Sequence, residues 1–522
     1  MKDAENTKPV LIAGAGPAGL MMACQLALRR TGFRIIDRKK SPSVYSGAMI
    51  IHAPGIELLA DLGLSVRVLQ KAIPLHTLNL RFRDKKTIRL HVKNIGLGHS
   101  RFPDMLMLEQ SETERLLLNS LSGHGHQVEW NTELTGFSQD EHGVTAILKH
   151  PDGKQETVRS SYLIAADGGN STIRSTLNIA FHGRTHRIPL CISDCRADLD
   201  IPEHTACLSF SSHASAGFFP LPAKRRRIDF SLPRMKGQLN FNAVAKYLHE
   251  KSGLKLSSPD WFSVFHSHSH YALSFRSSRC FLIGDAAHVF SPVGARGMNC
   301  GWQDAANLAW KISLAVAGKA TPLLLDSYEQ ERKPVAMKTA KATDLLFRLA
   351  ASPRVHWKLL RLYILPYLAV LVGWLLGRGV SRTYLFRIVS GAGIRYPTSP
   401  LNNSYGNFGG QAPVPGERFP FVWFQWENRP DTDQTWKKKT WLLIIFSKKG
   451  SPEEMINPVK PHAELITCSF VPFREETKDF YELFGIKNCG YYLVRPDGYI
   501  ACRSDHLSPH SLKTCFRNYL IF

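Results

Sequence analysis

Ten cysteines are scattered through 522 residues, and no two of them stand as a CxxC pair. Cys191 and Cys195 come nearest, and nothing around them completes a ligand set, so reduced thiols are expected and a metal site is not. No cleaved leader is expected either: the apolar run near the start follows Asp3 and Glu5 and is cut by a glycine turn, so a cytoplasmic protein is expected. Internal repeats are absent. The most hydrophobic stretch, Leu362 to Gly377, is interrupted by Pro366 and falls short of the roughly 20 apolar residues that span a bilayer. Acidic residues are scarce, 43 against 66 Lys and Arg. From Leu345 to Gly416 there are none, while Arg348, Arg354, Lys358, Arg361, Arg378, Arg382, Arg387 and Arg395 all fall there. Basic charge concentrated beside the most apolar run argues against a nucleic-acid partner. It leaves two readings for 345–397: a buried helical hairpin whose basic residues cap its ends, which is preferred, or an element in peripheral contact with a membrane surface.

What is present is a globular composition, 44% hydrophobic and 21% charged, with length for two or three domains. The opening unit stands out. An apolar strand, Val10-Leu11-Ile12-Ala13, runs into Gly14-Ala15-Gly16-Pro17-Ala18-Gly19, then a helix, then a second strand ending at Asp37 and Arg38. In that context Gly14 permits a tight turn, Gly16 lets backbone N–H groups approach a pyrophosphate, and Gly19 lets helix pack on strand. Asp37 can accept from ribose hydroxyls. The stretch alone leaves FAD and NAD(P) open.

Further along, Gly55 to Leu64 reads as a short helix, and Thr77 to Phe82 with Thr87 to His91 as a hairpin turning at Asp84-Lys85-Lys86. A helix over Arg115 to Leu121 follows, with strands over 127 to 149 and at Tyr162 to Ala166. Phe181 to Arg279 is β-rich, suggesting an inserted sheet. Within it Lys224-Arg225-Arg226-Arg227 reads as a solvated hairpin turn. His266, His268 and His270 alternate on one strand face without a Cys or carboxylate partner. After the strand Cys280 to Ile283, a long helix is expected from Asn299 to Ala317. Residues 398–417, rich in Pro, Gly, Asn and Ser, read as a linker, and Trp441 to Phe446 and Tyr491 to Cys502 as strands of a separate small α/β unit.

Three distant elements share one logic: an apolar strand ends in a Gly/Asp turn at Gly14 to Gly19, at Asp167-Gly168-Gly169 and at Gly284-Asp285. Nucleotides bind at strand ends of open α/β sheets, so the three can meet on one ligand. The third continues through His288, Pro292, Gly294 and Ala295 into Gly297-Met298-Asn299. A glycine-rich turn before a helix offers N–H groups and a positive dipole end to a developing anion. A reduced flavin, negative near N1, is such an anion, which favours FAD over NAD(P) as the tightly held nucleotide.

These residues resemble the single-component FAD-dependent aromatic hydroxylases, the family of p-hydroxybenzoate and phenol hydroxylases. Gly14-x-Gly16-x-x-Gly19 looks like their ADP-binding motif, Asp167-Gly168 like their DG motif, and Gly284-Asp285 with Pro292 like their GD motif. Gln110, followed by Glu114, resembles the family's FAD-contacting glutamine. Asp304 to Lys311 and Tyr328 to Pro334 also match family stretches, and Val494 to Arg503 resembles the end of the thioredoxin-like domain of phenol-hydroxylase-type members. Two departures stand out: Gly47 to His52 and Pro54 replace a region that often carries an arginine, and Gly294 is followed by Ala295 where relatives often have a second glycine.

The resemblance implies an α/β fold. Its parts are a Rossmann-like FAD-binding domain of the p-hydroxybenzoate hydroxylase fold (1–180 plus 275–345), an inserted β-sheet substrate domain (181–275, with strands from 75–105), a helical basic and apolar segment (346–397), the linker, and a thioredoxin-like C-terminal domain (418–522). It implies an NAD(P)H-dependent monooxygenase that hydroxylates a phenolic or polyketide-like ring with O₂ through a C4a-hydroperoxyflavin. NADPH or NADH is the cosubstrate, and a homodimer contact through the C-terminal domain is a further expectation. Gly14, Gly16, Gly19, Asp37, Arg38, Gln110, Asp167, Gly168, Asp285, Gly294, Gly297, Met298 and Asn299 are the expected cofactor contacts. Pro292 is expected near the oxygen-reacting face. His288 is either an acid/base there or, by preference, a histidine satisfied by backbone. Alternatives within the fold are a Baeyer–Villiger oxygenase or dehydrogenase; another is a membrane-attached flavoprotein with secondary turnover.

Overall fold

A computed structural model describes residues 8–43, 47–82, 86–197, 200–211, 215–231, 239–252, 255–420, 440–448 and 464–521. Its organising layer is a six-stranded sheet, in the order Arg276–Ser277, Cys280–Leu282, Leu163–Ala165, Val10–Ala13, Phe33–Asp37, Val128–Trp130, parallel except for the first strand. Val10–Ala13 is buried throughout, as a central parallel strand covered on both faces must be. Helices Pro17–Leu28 and Gly297–Val316 pack together on the sheet. The meander Glu133–Asp140, Gly143–Lys149, Gln155–Ser160 adds Val144, Ala146, Leu148 and Val158 to the same core.

The inserted sheet has eight strands: His288–Val289, Leu256–Ala272, Phe181–Ala197, Arg225–Ser231, Ser215–Leu221, Thr205–Phe210, Thr77–Phe82 and Lys86–His91. Residues alternate between its faces. On one face Cys191, Cys207, Phe218, Ile228 and Phe230 pack against Val244 and Leu248 of helix Phe241–Ser252. On the other, Leu80, Phe82 and Ala206 meet Met49 and Met107 of the cofactor-type layer and Ala369 of helix Leu365–Leu376. The Asp84-Lys85 part of the expected turn lies outside the described residues.

Near the C-terminus, Trp441–Ser447 pairs parallel with Ile466–Pro472 and antiparallel with Cys489–Val494, which pairs antiparallel with Ile500–Ser504. With helix Pro509–Arg517 this is a thioredoxin-like arrangement without its dithiol. The expected linker is not a tether: Leu401 is fully buried, and Asn403–Tyr405 extends the sheet as an edge strand beside Ile500–Ser504.

The 355–376 region also departs from expectation. Val355–Leu376 is continuously helical and long and apolar enough to cross a membrane by length and composition. Pro366 sits in the first turn of Leu365–Leu376, after a π-helical turn at Leu360–Ile364, so its missing N–H does not break the run. Nor is this a buried hairpin. Pro366 and Ala369 face inward, whereas Tyr367 is 74% and Trp374 51% exposed.

Candidate cofactor and substrate site

Three glycine turns converge. A Cβ on Gly14 (φ +106°) would strike the Ala166 carbonyl, one on Gly19 the Gly14 carbonyl, and one on Gly284 (φ +56°) the Ala18 methyl. The first turn is thereby pressed against both the Asp167 and the Gly284 turns. Gly16 is different: nothing lies within 4 Å of the position its Cβ would take, leaving a cradle a phosphate can enter. Helix Pro17–Leu28 starts there without a side-chain cap, so its first N–H groups face that space. Asp37 is buried and accepts from Ala15 N (2.8 Å) and Lys39 N (2.8 Å). It buttresses the glycine turn while its remaining lone pairs stay available. Arg38 is exposed.

At the second turn, Asp167 Oδ2 accepts from Ile173 N (3.2 Å), and its buried Oδ1 has no partner among the described residues. Gly168 has φ +85°. Arg174, whose side chain donates to the Ala286 and Gly169 carbonyls (3.0 and 2.8 Å), braces this turn against the third. There Asp285 is exposed to solvent, and the protein around it holds its carboxyl above the ordinary 3.8. Helix Gly297–Val316 opens without a side-chain cap, and Gly297 borders open space. The first N–H groups of Gly297, Met298 and Asn299 therefore stand ready for an anion. The Asn299 side chain is spent on the protein, accepting from His52 N (2.9 Å) and donating to the Ile50 and Ala295 carbonyls (2.9 and 3.0 Å). Pro292 is exposed at the turn. Ala295 has φ +51°, a left-handed conformation that glycine would take at less cost.

Gln110 Oε1 accepts from Ala48 N (2.9 Å), and its Nε2 donates to Glu114 (2.8 Å), fixing the Gly47–Met49 turn beside the groove. His52 was visible in the sequence only as part of a departure, yet it links that turn to the flavin-type loop. Its Nε2 lies 3.3 Å from the Gly294 carbonyl. Burial, with Arg296 nearby, lowers it to about 4, so it stays neutral.

His288 does not face the groove. It lies in a two-residue strand, fully buried, with Nε2 2.6 Å from Asp304 Oδ2. Burial opposes its charge, but Cys300 and Asp304 override that and push it up to about 10. Asp304 also accepts from Gly284 N (3.1 Å) and Arg332 Nε (2.7 Å). His288, Cys300 and Asp304 lie close enough to suggest a metal site, but Arg332 donates to both Asp304 and Cys300 (2.7 and 3.3 Å) and already supplies the cation.

Of the basic run at 224–227 only Lys224 lies in a solvated turn, exposed with φ +57°, and the three arginines belong to the strand that follows. Arg225 pairs with Glu109 and Asp260 (3.0 and 3.1 Å). Arg227, 1% exposed, forms a two-pronged bond to Asp194 (2.5 and 2.7 Å) and approaches the Gly47 carbonyl at 3.5 Å. The turn ends at Lys224, so the arginines start a strand: Arg225 and Arg227 point toward the cofactor-type layer, and Arg226 turns to the other face and donates to the Ile201 carbonyl. A cavity of about 790 Å³ lies elsewhere, between helix Ala53–Asp61 and the C-terminal sheet. It includes none of the three glycine turns.

Known proteins share this arrangement. Residues 7–343 match the FAD binding domain family. The chain is 32% identical over 519 residues to the 6-methylpretetramide 4-monooxygenase of Streptomyces rimosus, covering 95% of this chain and 90% of that one. It is 30% identical over 437 residues to a 12-dehydrotetracycline 5-monooxygenase/anhydrotetracycline 6-monooxygenase from Streptomyces rimosus subsp. rimosus, covering 79% and 80%. The solved anhydrotetracycline hydroxylase OxyS of Streptomyces rimosus superposes with a TM-score of 0.77 at 26% identity, covering 98% of this chain and 99% of that one. The class defined by fold and site is that of the FAD-dependent monooxygenases. Within it, this chain belongs to the single-component aromatic hydroxylase family, with FAD as cofactor and NAD(P)H as the family's reductant.

Proposed function

We propose that this enzyme hydroxylates a phenolic, polyketide-like ring held between the eight-stranded sheet and the three glycine turns. Gly14, Gly16, Gly19 and Asp37 hold the adenosine diphosphate half of FAD. Asp167, Gly168 and Asp285 hold the linking polyol, and the N–H groups at Gly297 to Asn299 meet the ring system, with Gln110 and Pro292 lining it. Bound FAD supplies hydride acceptance from NAD(P)H and activation of O₂. The protein positions the ring, supplies fixed dipoles and excludes water. The observation that carries this reading is the convergence of three turns around an open Gly16 cradle, facing a sheet lined by Leu80, Leu208, Phe210 and Phe219. The relatives that act on tetracycline precursors support a fused, apolar substrate class.

The test is a panel of phenols and fused-ring polyketides, read as the rate of flavin reduction by NADPH and NADH and as product formed under O₂. Stimulated reduction with hydroxylated product is expected. Peroxide alone, with every ring tested, would overturn the reading.

A second proposal concerns position in the cell: the enzyme touches anionic membrane through Val355–Ser390. The outer side of these helices exposes Leu359, Tyr367, Leu371, Trp374, Val380 and Tyr384, and no acidic residue lies between 345 and 416. Patches of this kind mark interaction sites, and Trp and Tyr favour the lipid interface. Symmetric self-pairing through this face would bring its own cations together, whereas acidic lipid headgroups complement them.

A further inference from the structure

The sheet face turned toward the flavin-type turns carries several charged side chains, and on strand Arg225–Ser231 they differ in whether a partner meets them. Along Arg225–Ser231, residues 225, 227, 229 and 231 share that face, since Ile228 and Phe230 point the other way into the core with helix Phe241–Ser252. Arg225 is taken by Glu109 and Asp260, and Arg227 by Asp194. Among the described residues Asp229 has no such partner: its Oδ1 is buried without a hydrogen bond, and so is the Oγ of Ser231 on the same face. Buried acceptors left unmatched are uncommon and call for an occupant. The surroundings say where it would sit. Asp229 is flanked across the strands by Ile192 and by Gly217, over which the Phe219 ring lies. Ser231 is opposite Leu190, and Leu190 packs in the cluster that receives Val293, the residue between Pro292 and Gly294. This pair of polar groups therefore lies next to the turn where the ring is oxidised, beside an aromatic wall.

We propose that Asp229 accepts a ring hydroxyl of the substrate and takes up its proton, with Ser231 as the second contact. This rests on the hydroxylase reading above and adds to it the group that activates the ring. In the step, the substrate O–H bond breaks, the proton moves to the Asp229 carboxylate, and the electron pair stays on the ring oxygen. That raises electron density at the ortho and para carbons, where an electrophilic oxygen must add. The proton returns to the product oxygen when the hydroxylated ring leaves. Burial lifts Asp229 to about 7, with Arg227 lowering and Asp194 raising it, and a base of that strength suits transfer near neutral pH. The other charged groups on this face, Arg225 with Glu109 and Asp260, lie one pair of residues further from the turn.

The experiment uses the FAD-loaded enzyme and 4-nitrophenol, whose phenolate absorbs visibly. At pH 7, where Asp229 is partly ionised, the wild type should bind the probe with a gain in the phenolate band. Asp229→Asn, which retains FAD, should bind it without that gain and lose the acidic limb of the pH profile for ring-stimulated flavin reduction. Ser231→Ala should weaken probe binding by about three- to tenfold, the worth of one hydrogen bond, leaving the pH profile in place. Wild-type enzyme that never takes up the probe, or binds it without the band, overturns the assignment. So does an Asp229→Asn enzyme with an unchanged band and profile. If no ring accelerates reduction in either protein, the hydroxylase reading itself has failed. Equal acceleration in both removes only the role of Asp229.

Discussion

At the residue scale, the cofactor side is organised by buried charges that never touch the groove. Asp304 holds Gly284 N, His288 and Arg332 at once, so the Gly284 turn is set by an ion network behind it. His288 is held at about 10 against an ordinary 6.5. A group raised on folding stabilises below its unfolded value and loses that contribution as pH climbs through the folded one. Wild-type melting temperature should therefore fall between pH 7 and 10, and His288→Gln should show a flatter alkaline slope and a lower plateau near neutrality. Identical slopes would remove His288 from the network's energetics. Asp229 has the same sign from a lower start, 3.8 raised to about 7: it costs stability as pH rises through that window. Asp229→Asn should accordingly melt higher than wild type at pH 8 and no higher at pH 3.5, a trade of stability for function. Thermal melts at the two pH values decide it. The sequence showed His288 and Arg227 as residue types in suggestive company. It could not show that each is sealed against one carboxylate, because Asp304 and Asp194 come from other elements.

At the element scale, the glycine turns were legible because each residue type answers a local demand. Gly14 and Gly19 lie where a side chain would strike a carbonyl, and such demands show directly in a sequence. Gly16→Val should yield folded protein that has lost nearly all bound FAD, whereas Pro292→Ala should keep its flavin and alter oxygen uptake. Absorbance at the flavin bands after desalting separates the two, and full flavin in Gly16→Val would refute the cradle. The 355–376 helix was less legible. Pro366 counted as a break in one dimension but sits harmlessly in the first turn after a π-helical turn. The preference for a buried hairpin failed because only one side of the helix meets the sheet. Flotation with vesicles containing acidic lipid should carry the protein at low salt and release it at about 0.5 M salt, where exposed charges are screened beyond a few ångströms. Replacing Tyr367 and Leu371 by Asp should abolish flotation while leaving ring-stimulated reduction in detergent intact. No flotation at any salt would end the membrane proposal, and concentration-dependent dimers lost in the same double variant would assign the face to a second copy.

At the scale of the whole molecule, the C-terminal sheet is locked to the rest by charge. Glu331 accepts from Lys311 (2.8 Å) and from Arg495 (2.5 and 2.9 Å), and Arg495 also bonds Asp497, all of them almost completely buried. The sequence placed Glu331 and Arg495 in separate family stretches without joining them, and read 398–417 between them as a linker. Removing one partner of such a group strands the other charge in a dry interior, at about 3–5 kcal/mol. Arg495→Met should lower the melting temperature by several degrees and increase proteolysis near residue 420, with flavin content falling in parallel. Unchanged melting would show the junction to be energetically silent.

That junction also constrains how the enzyme can be handled and how its relatives can be recombined. Cutting the chain at residue 418 leaves Glu331 and Lys311 inside the oxidising half with Arg495 gone, so the front portion would not survive as a trimmed catalyst. A graft of a foreign tail would need to bring its own buried arginine in register.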